Sequence, residues 1–175
     1  MPKIFFIGMP GSGKSHLGRK VSAKLELPFF DLDEQIVAVT GKPIKEIFSE
    51  HGEDHFRKLE AEQLRKIALE NENFLMATGG GTPCFHENMT FINQQGISLF
   101  INISLEVIAT NMSEKGMDKR PLFKNFTKEN ILDELKEKFR KRSVFYDQAH
   151  IVVNLEKRNY KLVKNTLMNY LKSHT

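Results

Sequence analysis

One short segment near the start of the chain limits the possible folds more than any other feature. Residues 8–15 read Gly-Met-Pro-Gly-Ser-Gly-Lys-Ser, a complete match to the G-x-x-x-x-G-K-[ST] pattern of phosphate-binding loops. An apolar run, Lys3–Ile7, comes directly before the segment, and an amphipathic helical pattern, Lys14–Leu25, overlaps its end. A strand, a glycine-rich loop and a helix in this order predict an α/β domain that binds phosphate groups.

Each fixed position of the motif has a chemical role. Glycines allow backbone N–H groups to turn inward around phosphate oxygens, and the start of the following helix adds a partial positive charge. Lys14 can reach the β- and γ-phosphates of a nucleotide, and the Ser15 hydroxyl can bind Mg²⁺. The GTPase patterns D-x-x-G and N-K-x-D do not occur, and the apolar run Phe74–Ala77 lacks the terminal aspartate of motor and transport ATPases. The sequence therefore favours a small-molecule kinase.

The rest of the chain alternates short apolar runs with longer amphipathic segments, which is typical of a parallel sheet covered by helices. The predicted strands are Lys3–Ile7, Pro28–Asp31, Phe74–Ala77, Ile97–Ile103 and Ile151–Asn154. The predicted helices are Lys14–Leu25, Asp33–Val39, Ile44–Ser49, Glu53–Leu69, His86–Gln94, one capped by Ser104 that ends near Met112, one capped by Thr127 that ends near Tyr146, and Asn159–Ser173. We find no repeat and no linker, so we expect one domain over residues 1–175.

Composition narrows the classes of partner. The net charge of +4 suits an anionic ligand, but the basic residues are dispersed among acidic ones, which argues against a nucleic-acid partner. A single cysteine, Cys84, excludes an intrachain disulfide. No apolar run approaches the ~18 residues of a membrane span, and the chain does not open with a signal-peptide pattern. We therefore expect a cytoplasmic protein without a membrane partner, and we expect a monomer because no exposed apolar repeat suggests an interface.

Two aspartates follow the second predicted strand. If Asp31 and Asp33 lie in an extended segment, both carboxylates point to the same side, at the sheet edge where nucleotides bind. One could hold Mg²⁺ directly or through water, and the other could orient an acceptor hydroxyl or accept its proton. Alternatively, one carboxylate only caps the following helix.

Three further segments carry candidate binding groups. Arg57 and Arg142 could bind a carboxylate between two converging guanidinium groups, although each could equally be a solvated helical charge. Gly79–Gly81 would allow a ligand to approach the backbone closely, or would form a plain tight turn. Arg120 lies in a charged, irregular insert, 113–126, and could fold over a transferred phosphoryl group or remain a solvated loop charge.

Taken in order, these motifs resemble those of the shikimate kinase family. The matching segments are the phosphate-binding loop, D-x-D at Asp31 and Asp33, E-x-x-F-R-x-x-E from Glu53 to Glu60, G-G-G at Gly79–Gly81, R-P-L at Arg120–Leu122, and K-R-x-x-x-Y from Lys141 to Tyr146. The resemblance extends from the first strand to about Tyr146. Six motifs in the family's order are far more specific than any one of them.

The resemblance implies transfer of the γ-phosphoryl group of ATP to the 3-hydroxyl of shikimate, with Mg²⁺, in the chorismate pathway of aromatic amino-acid biosynthesis. It implies a three-layer P-loop fold similar to nucleoside monophosphate kinases, with sheet order 2-3-1-4-5, a shikimate-binding helical segment at about 32–62 and a mobile lid at about 113–126. The implied catalytic residues are Asp33, Lys14 and Arg120. The implied ATP-binding residues are Gly11, Ser12, Gly13, Lys14, Ser15, His16, Arg120 and Arg158. Shikimate would be bound by Asp33, Arg57, Gly79, Gly80, Gly81 and Arg142, and magnesium by Ser15 with Asp31 in its outer shell.

Two positions depart from the family pattern, both near the expected adenine site. Ser113 stands where the family usually has an arginine that stacks on adenine. The late R-N-P stretch of the family is matched by residues 158–160, with Tyr160 in place of the common proline. We predict that Tyr160 stacks on adenine in place of the missing arginine.

Two alternative functions belong to different classes. A gluconate-type kinase of the same fold also phosphorylates an acceptor with a carboxylate and several hydroxyls, but it would not require these motifs together. A degenerate member would bind nucleotide or a partner protein without catalysis. Such a member should have lost at least one of Lys14, Ser15, Asp33 and Arg120, and all four are present.

Overall fold

A five-stranded parallel sheet forms the centre of the computed structural model, which describes residues 2–114 and 130–174. In chain order the strands are β1 (Lys3–Ile7), β2 (Phe29–Asp31), β3 (Phe74–Ala77), β4 (Ile97–Ile103) and β5 (Ile151–Leu155). Their spatial order is β2-β3-β1-β4-β5. The predicted sheet order is therefore confirmed.

Helices cover both faces of this sheet, as the burial of its central strands requires. All four residues of β3 are buried, as are four of the five residues of β1, and such strands need cover on each side. The helices are α1 (Lys14–Leu25), α2 (Leu32–Thr40), α3 (Ile44–Glu70), α4 (Asn88–Gln95), α5 (Leu105–Glu114), α6 (Ile131–Tyr146) and α7 (Tyr160–Ser173). A single 3-10 turn, Thr82–Cys84, lies between β3 and α4.

The two helices that the sequence predicts within residues 44–69 are both present, and they meet at a kink. The predicted segments Ile44–Ser49 and Glu53–Leu69 join in α3, which bends at Gly52. Gly52 has a φ of 80° and a ψ of 174°, a conformation that glycine adopts because it lacks a Cβ atom. The long part of α3 after the kink carries Arg57.

The start of α4 also differs from the prediction. We expected the helix to begin at His86, but it begins at Asn88. His86 and Glu87 instead have positive φ angles of 49° and 56°, so they form a short left-handed connection. Apolar periodicity does not report backbone handedness, which is why the sequence did not reveal this turn.

The predicted cap of α5 is confirmed, and α7 begins one residue later than predicted, with Asn159 as its cap. The Ser104 hydroxyl accepts a hydrogen bond from the Val107 N–H at 3.3 Å, and the Asn159 Oδ1 atom accepts one from the Leu162 N–H at 3.1 Å. The predicted cap Thr127 and the predicted lid residues from 115 onward, Arg120 among them, lie outside the described residues. No helix in the described ranges is long and apolar enough to cross a membrane.

Candidate active site

The carboxyl ends of β1, β2 and β3 open into one cleft of about 640 Å³. In a parallel sheet these ends meet at a single edge, so segments far apart in the sequence come together there. The cleft is lined by residues 10–16 of the phosphate-binding loop except Ser12, by Asp31 and Asp33, by parts of α2 and α3, by residues 78–81, and by Arg158. All of the implied ATP-binding residues that the structure describes, except Ser12, therefore line the cleft.

The phosphate-binding loop encloses its own lysine. The Lys14 ammonium donates hydrogen bonds to the carbonyl oxygens of Gly8 and Met9 at 2.8 and 2.9 Å, and the side chain is buried. Gly8, Gly11 and Gly13 all have positive φ angles between 86° and 141°. The two glycines that the motif fixes, Gly8 and Gly13, together with Gly11, therefore form a backbone path that other residues rarely adopt.

Arg158 packs directly on this loop. A Cβ atom at Gly13 would lie 2.5 Å from the Arg158 Nε atom, and the Arg158 Nη2 atom donates to the Gly11 carbonyl at 3.4 Å. The Arg158 Nε atom is buried and has no hydrogen-bond partner in the described residues. The guanidinium group thus lies beside the loop with one N–H donor unused.

Asp31 caps α2. Its Oδ1 atom accepts hydrogen bonds from the N–H groups of Asp33 and Glu34 at 3.1 and 3.3 Å. The two aspartates therefore do not share one extended segment, because Asp31 ends β2 and Asp33 lies in the first turn of α2. The expectation of an extended pair was wrong and the capping alternative was right. Both side chains nevertheless face the same cleft.

The environment of Asp33 changes its acidity. Its side chain is open to the cleft but surrounded by protein on the other sides, and this desolvation raises its pKa to about 6. The negative charges of Glu60 and Asp31 act in the same direction, whereas the positive charges of Lys14 and Arg57 oppose the rise. Asp33 is thus a carboxylate that accepts a proton more readily than an ordinary aspartate.

Arg57 is a buried charge and not a solvated one. It is 3% exposed, and its Nη1 atom donates to Glu60 Oε2 at 2.7 Å. Its Nε and Nη2 atoms donate to Glu53 Oε1 at 3.2 and 3.1 Å. Its guanidinium also lies 4.5 Å from the centre of the Phe85 ring. Arg57 is therefore held in place by its partners and is not a solvated helical charge.

The glycine triplet is where three neighbours approach the backbone. A Cβ atom at Gly79 would lie 2.7 Å from Glu60 Oε1, one at Gly80 would lie 2.5 Å from Pro10 Cδ, and one at Gly81 would lie 2.6 Å from Arg57 Nη2. Each of these distances is shorter than a Cβ atom tolerates. The triplet is therefore a site of close packing between the phosphate-binding loop and the α3 charges, not a plain turn.

Arg142 lies on α6, one turn before the buried Tyr146. The Tyr146 hydroxyl donates to the Gly80 carbonyl at 2.5 Å, which connects α6 to the glycine triplet.

Burial raises the pKa of the Cys84 thiol to about 11, and the positive charges of Arg142 and Arg57 both oppose this rise. The two arginines thus converge on one region. Arg142 Nη1 is buried and has no hydrogen-bond partner among the described residues, and Arg142 does not line the described cleft.

A family model described as shikimate kinase matches residues 10–172. The chain belongs to the shikimate kinase family. It is 36% identical to a shikimate kinase of Bacteroides thetaiotaomicron over 156 aligned residues. The aligned residues make up 89% of this chain and 88% of the relative. The chain is 39% identical over 153 residues to one of Clostridium botulinum, with 87% of each chain covered.

Solved structures agree with this assignment. The crystal structure of the shikimate kinase from Bacteroides thetaiotaomicron has a TM-score of 0.88 at 35% identity and covers 98% of both chains. The shikimate kinase from Acinetobacter baumannii in complex with shikimate has a TM-score of 0.90 at 26% identity, covering 100% of this chain and 95% of the other. The predicted fold class is confirmed, and the chain is a kinase of this family; a gluconate-type kinase is not favoured.

The sequence predicts that the segment 32–62 binds shikimate, but it does not show which residues of that segment line the cleft. One wall is formed by residues without reactive groups, namely Val37, Pro43, Ile44, Phe48 and Phe56, together with Lys45. The rings of Phe48 and Phe56 pack with their centres 4.6 Å apart. In the sequence these residues have the spacing of core positions, and no local signal distinguishes a cleft wall from a core. Thr82, which contacts Glu60, was also missed.

Proposed function

We propose that this chain transfers the γ-phosphoryl group of ATP to the 3-hydroxyl of shikimate, giving shikimate 3-phosphate and ADP, in the chorismate pathway. One observation carries the proposal. A buried guanidinium group at Arg57 and a carboxylate of raised pKa at Asp33 lie in the same cleft as the phosphate-binding loop. The acceptor therefore needs an anionic group and a hydroxyl, and shikimate has both.

On the nucleotide side, the phosphates of ATP bind to the loop 8–15. The Lys14 ammonium exchanges its loop carbonyl partners for β- and γ-phosphate oxygens, which supports the charge that develops during transfer. Gly11, Ser12 and Gly13 contribute backbone N–H groups, and His16 and Arg158 border the nucleotide beyond the phosphates.

The side chains of Ser15 and Asp31 provide oxygen atoms in the cleft that are suitable ligands for a magnesium ion. Ser15 offers a hydroxyl in the cleft, and Asp31 offers a carboxylate whose Oδ1 atom is engaged in capping α2. Ser15 would hold the ion directly and Asp31 would hold it through water with its second oxygen. Bound Mg²⁺ would neutralise charge on the β- and γ-phosphates, which is the usual role of this ion in phosphoryl transfer.

On the acceptor side, Arg57 and Arg142 bind the carboxylate of shikimate. The unused, buried Nη1 donor of Arg142 supports this role, because a buried N–H donor without a partner is costly unless a ligand supplies an acceptor. Gly79, Gly80 and Gly81 let the ring of shikimate approach the backbone. Asp33 accepts the proton of the 3-hydroxyl as its oxygen attacks the γ-phosphorus and ADP leaves.

Arg120 completes the proposed catalytic set. It lies outside the described residues, in the predicted lid 113–126, and would place a guanidinium over the transferred group. We further propose one domain over 1–175, in which the helical segment 32–62 binds shikimate. Its members Val37, Ile44 and Phe48 line the cleft, which supports this division.

The deciding experiment measures ADP release from ATP with Mg²⁺ present or chelated. Shikimate is the test acceptor, and gluconate and a nucleoside monophosphate are the controls. We expect turnover only with shikimate and Mg²⁺. Turnover with gluconate would identify the other acceptor class, and nucleotide binding without turnover on any acceptor would identify a non-catalytic member.

We also propose that the chain acts as a monomer in the cytoplasm, with ATP and shikimate as its partners. A monomer has a mass of 20.2 kDa. Size-exclusion chromatography with light scattering should give this mass with and without both ligands, and a mass twice as large would contradict the proposal.

A further inference from the structure

A continuous series of hydrogen bonds connects Arg57, the proposed carboxylate-binding arginine, with Arg65, about two turns further along α3. Its members belong to α3, to the 3-10 turn after the glycine triplet and to the start of α4, and in order they are Arg57, Glu60, Thr82, Asn88 and Arg65. Glu60, Thr82 and Asn88 are fully buried. The proposed catalytic steps do not use the last three members, so their role needs a separate explanation.

In the inner half of this series of hydrogen bonds, both carboxylate oxygens of Glu60 accept a hydrogen bond. Its Oε2 atom accepts from Arg57 Nη1 at 2.7 Å, and its Oε1 atom accepts from the Thr82 hydroxyl at 2.6 Å. A Cβ atom at Gly79 would lie only 2.7 and 3.0 Å from these Glu60 and Thr82 oxygens. Because both oxygens are engaged, the carboxylate cannot rotate without breaking a buried hydrogen bond, and Arg57 is held with it.

The outer half fixes the turn that carries Thr82. The Asn88 amide donates to the Thr82 carbonyl at 2.9 Å, and Arg65 Nη1 donates to Asn88 Oδ1 at 2.6 Å. Arg65 Nη2 also donates to the carbonyl of His86, in the left-handed connection before α4, at 2.8 Å. Glu60 and Arg65 thus hold the turn from two positions on the same helix.

The hydroxyl of Thr82 is the link on which this arrangement depends. Without it, Glu60 Oε1 would be a buried acceptor with no donor, and a buried charged group in that state is strongly disfavoured. The carboxylate would then rotate, admit water or take up a proton. Each of these changes would alter the contact that orients Arg57.

We propose that Thr82 is a positioning residue for acceptor binding: through Glu60 it holds the Arg57 guanidinium in the direction that receives the acceptor's carboxylate. Asn88 and Arg65 hold Thr82 in turn. This inference rests on the proposed function, because it takes Arg57 as a carboxylate-binding group. Thr82 does not touch the reacting atoms.

The test compares two substitutions at one position. Thr82→Val removes the hydroxyl and keeps the shape, whereas Thr82→Ser keeps the hydroxyl and removes a methyl group. We expect Thr82→Val to raise KM for shikimate, and its Kd measured by calorimetry without ATP, roughly tenfold. KM for ATP should stay within about twofold, and Thr82→Ser should stay close to wild type.

Further variants separate positioning from loss of stability. Thr110→Val is the matched control, because within the described residues the Thr110 hydroxyl bonds only to the backbone of its own helix, at the Glu106 carbonyl. It should leave both KM values unchanged. Arg65→Met, at the outer end, should raise KM for shikimate by a smaller factor, about threefold. Melting temperatures identify any variant that is merely unfolded.

Two results would overturn the inference. One is a folded Thr82→Val protein with wild-type affinity for shikimate, and the other is a Thr82→Ser protein as impaired as Thr82→Val. The Arg57 Nη1–H signals in an NMR spectrum give a readout that needs no substrate, because Nη1 is the atom that donates to Glu60. They should be protected from exchange in wild type and Thr82→Ser, and lose protection in Thr82→Val. Absence of shikimate turnover in wild type would instead overturn the proposed function, while these signals still decide the role of Thr82.

Discussion

Asp33 shows how the surroundings of one residue adapt an ordinary side chain to a reaction. Desolvation in the cleft and the neighbouring Glu60 and Asp31 charges raise its pKa to about 6. A base with this pKa is still largely ionised at neutral pH and binds a proton more strongly than a free aspartate. We expect kcat/KM for shikimate to fall as the pH is lowered through about 6, because protonated Asp33 cannot accept the hydroxyl proton.

The variant Asp33→Asn provides the control for this pH dependence. It should lower kcat by a factor of 100 or more, roughly the contribution of a general base, and should abolish the acid limb near pH 6. ATP binding measured by calorimetry should remain. An Asp33→Asn enzyme with wild-type turnover would remove this residue from the chemistry.

Tyr160 provides a second prediction for a single residue. It begins α7, two residues after Arg158, which packs on the phosphate-binding loop. Its half-buried ring lies 5.6 Å from the ammonium of Lys20 on α1, the helix that follows the loop. This position supports the hypothesis that Tyr160 stacks on adenine where the family usually has an arginine.

We expect Tyr160→Ala to raise KM for ATP roughly 2- to 12-fold, the range that an aromatic contact of about 0.5–1.5 kcal/mol gives. The constants for shikimate should not change. Tyr170→Ala is the control on the same helix, because Tyr170 stacks on His174 near the carboxyl end of α7. An unchanged KM for ATP in Tyr160→Ala would contradict the stacking hypothesis.

At the scale of elements, the turn after β3 helps to hold its neighbours in place, because its backbone lies against Glu60, Pro10 and Arg57. Gly81 lies against the Arg57 guanidinium, and Arg57 cannot move away freely because Glu60 and Glu53 hold it. We expect Gly81→Ala to raise KM for shikimate more than tenfold and to lower the free energy of unfolding by about 1–3 kcal/mol, a typical cost of overpacking. Steady-state kinetics and urea unfolding measure the two effects.

Gly41→Ala is the matched control for that substitution. Gly41 ends α2 with a φ of 67°, and a Cβ atom there would meet no other atom within 4 Å. The substitution strains the backbone but moves no charged group. It should therefore lower stability and leave KM for shikimate unchanged. Equal effects of both substitutions on KM would mean that backbone strain alone, without displacement of Arg57, accounts for the result.

For the whole molecule, the sheet brings together groups that repel each other. Asp31, Asp33 and Glu60 reach the cleft from β2, α2 and α3, and the ionised form of Asp33 is disfavoured there. Its pKa is about 6 in the folded chain against 3.8 for an ordinary aspartate. Stability is therefore lost as the pH rises through about 6, because the unfolded chain ionises this group more easily.

Asp33→Asn should thus stabilise the molecule while it destroys activity. We expect its melting temperature to exceed that of wild type at pH 8, with the difference shrinking between pH 6 and pH 4 as Asp33 becomes protonated in the wild type. Differential scanning calorimetry across this range measures the effect. A difference independent of pH would show that the charge of Asp33 does not oppose folding. Groups that an active site needs for its reaction commonly lower the stability of the folded protein in this way.

The sequence by itself determined the fold class, the phosphate-binding loop and most bounds of the elements. These depend on local patterns: glycines where the backbone needs positive φ angles, apolar runs for buried strands, and apolar spacing for helices. It also identified Asp33, Arg57 and Gly79–Gly81 as candidates. It left open whether Arg57 is buried or solvated, because that depends on neighbours more than twenty residues away, at the glycine triplet and the turn after it.

Only the tertiary structure decided how these groups act on each other. Asp31 caps a helix instead of sharing an extended segment with Asp33. The raised pKa of Asp33 and the series of hydrogen bonds from Arg57 to Arg65 both depend on groups that meet where β1, β2 and β3 end at one edge, beside α3. The physical reason is that charge interactions and buried hydrogen bonds depend on distances through space, whereas patterns in a sequence report only the conformation of adjacent residues.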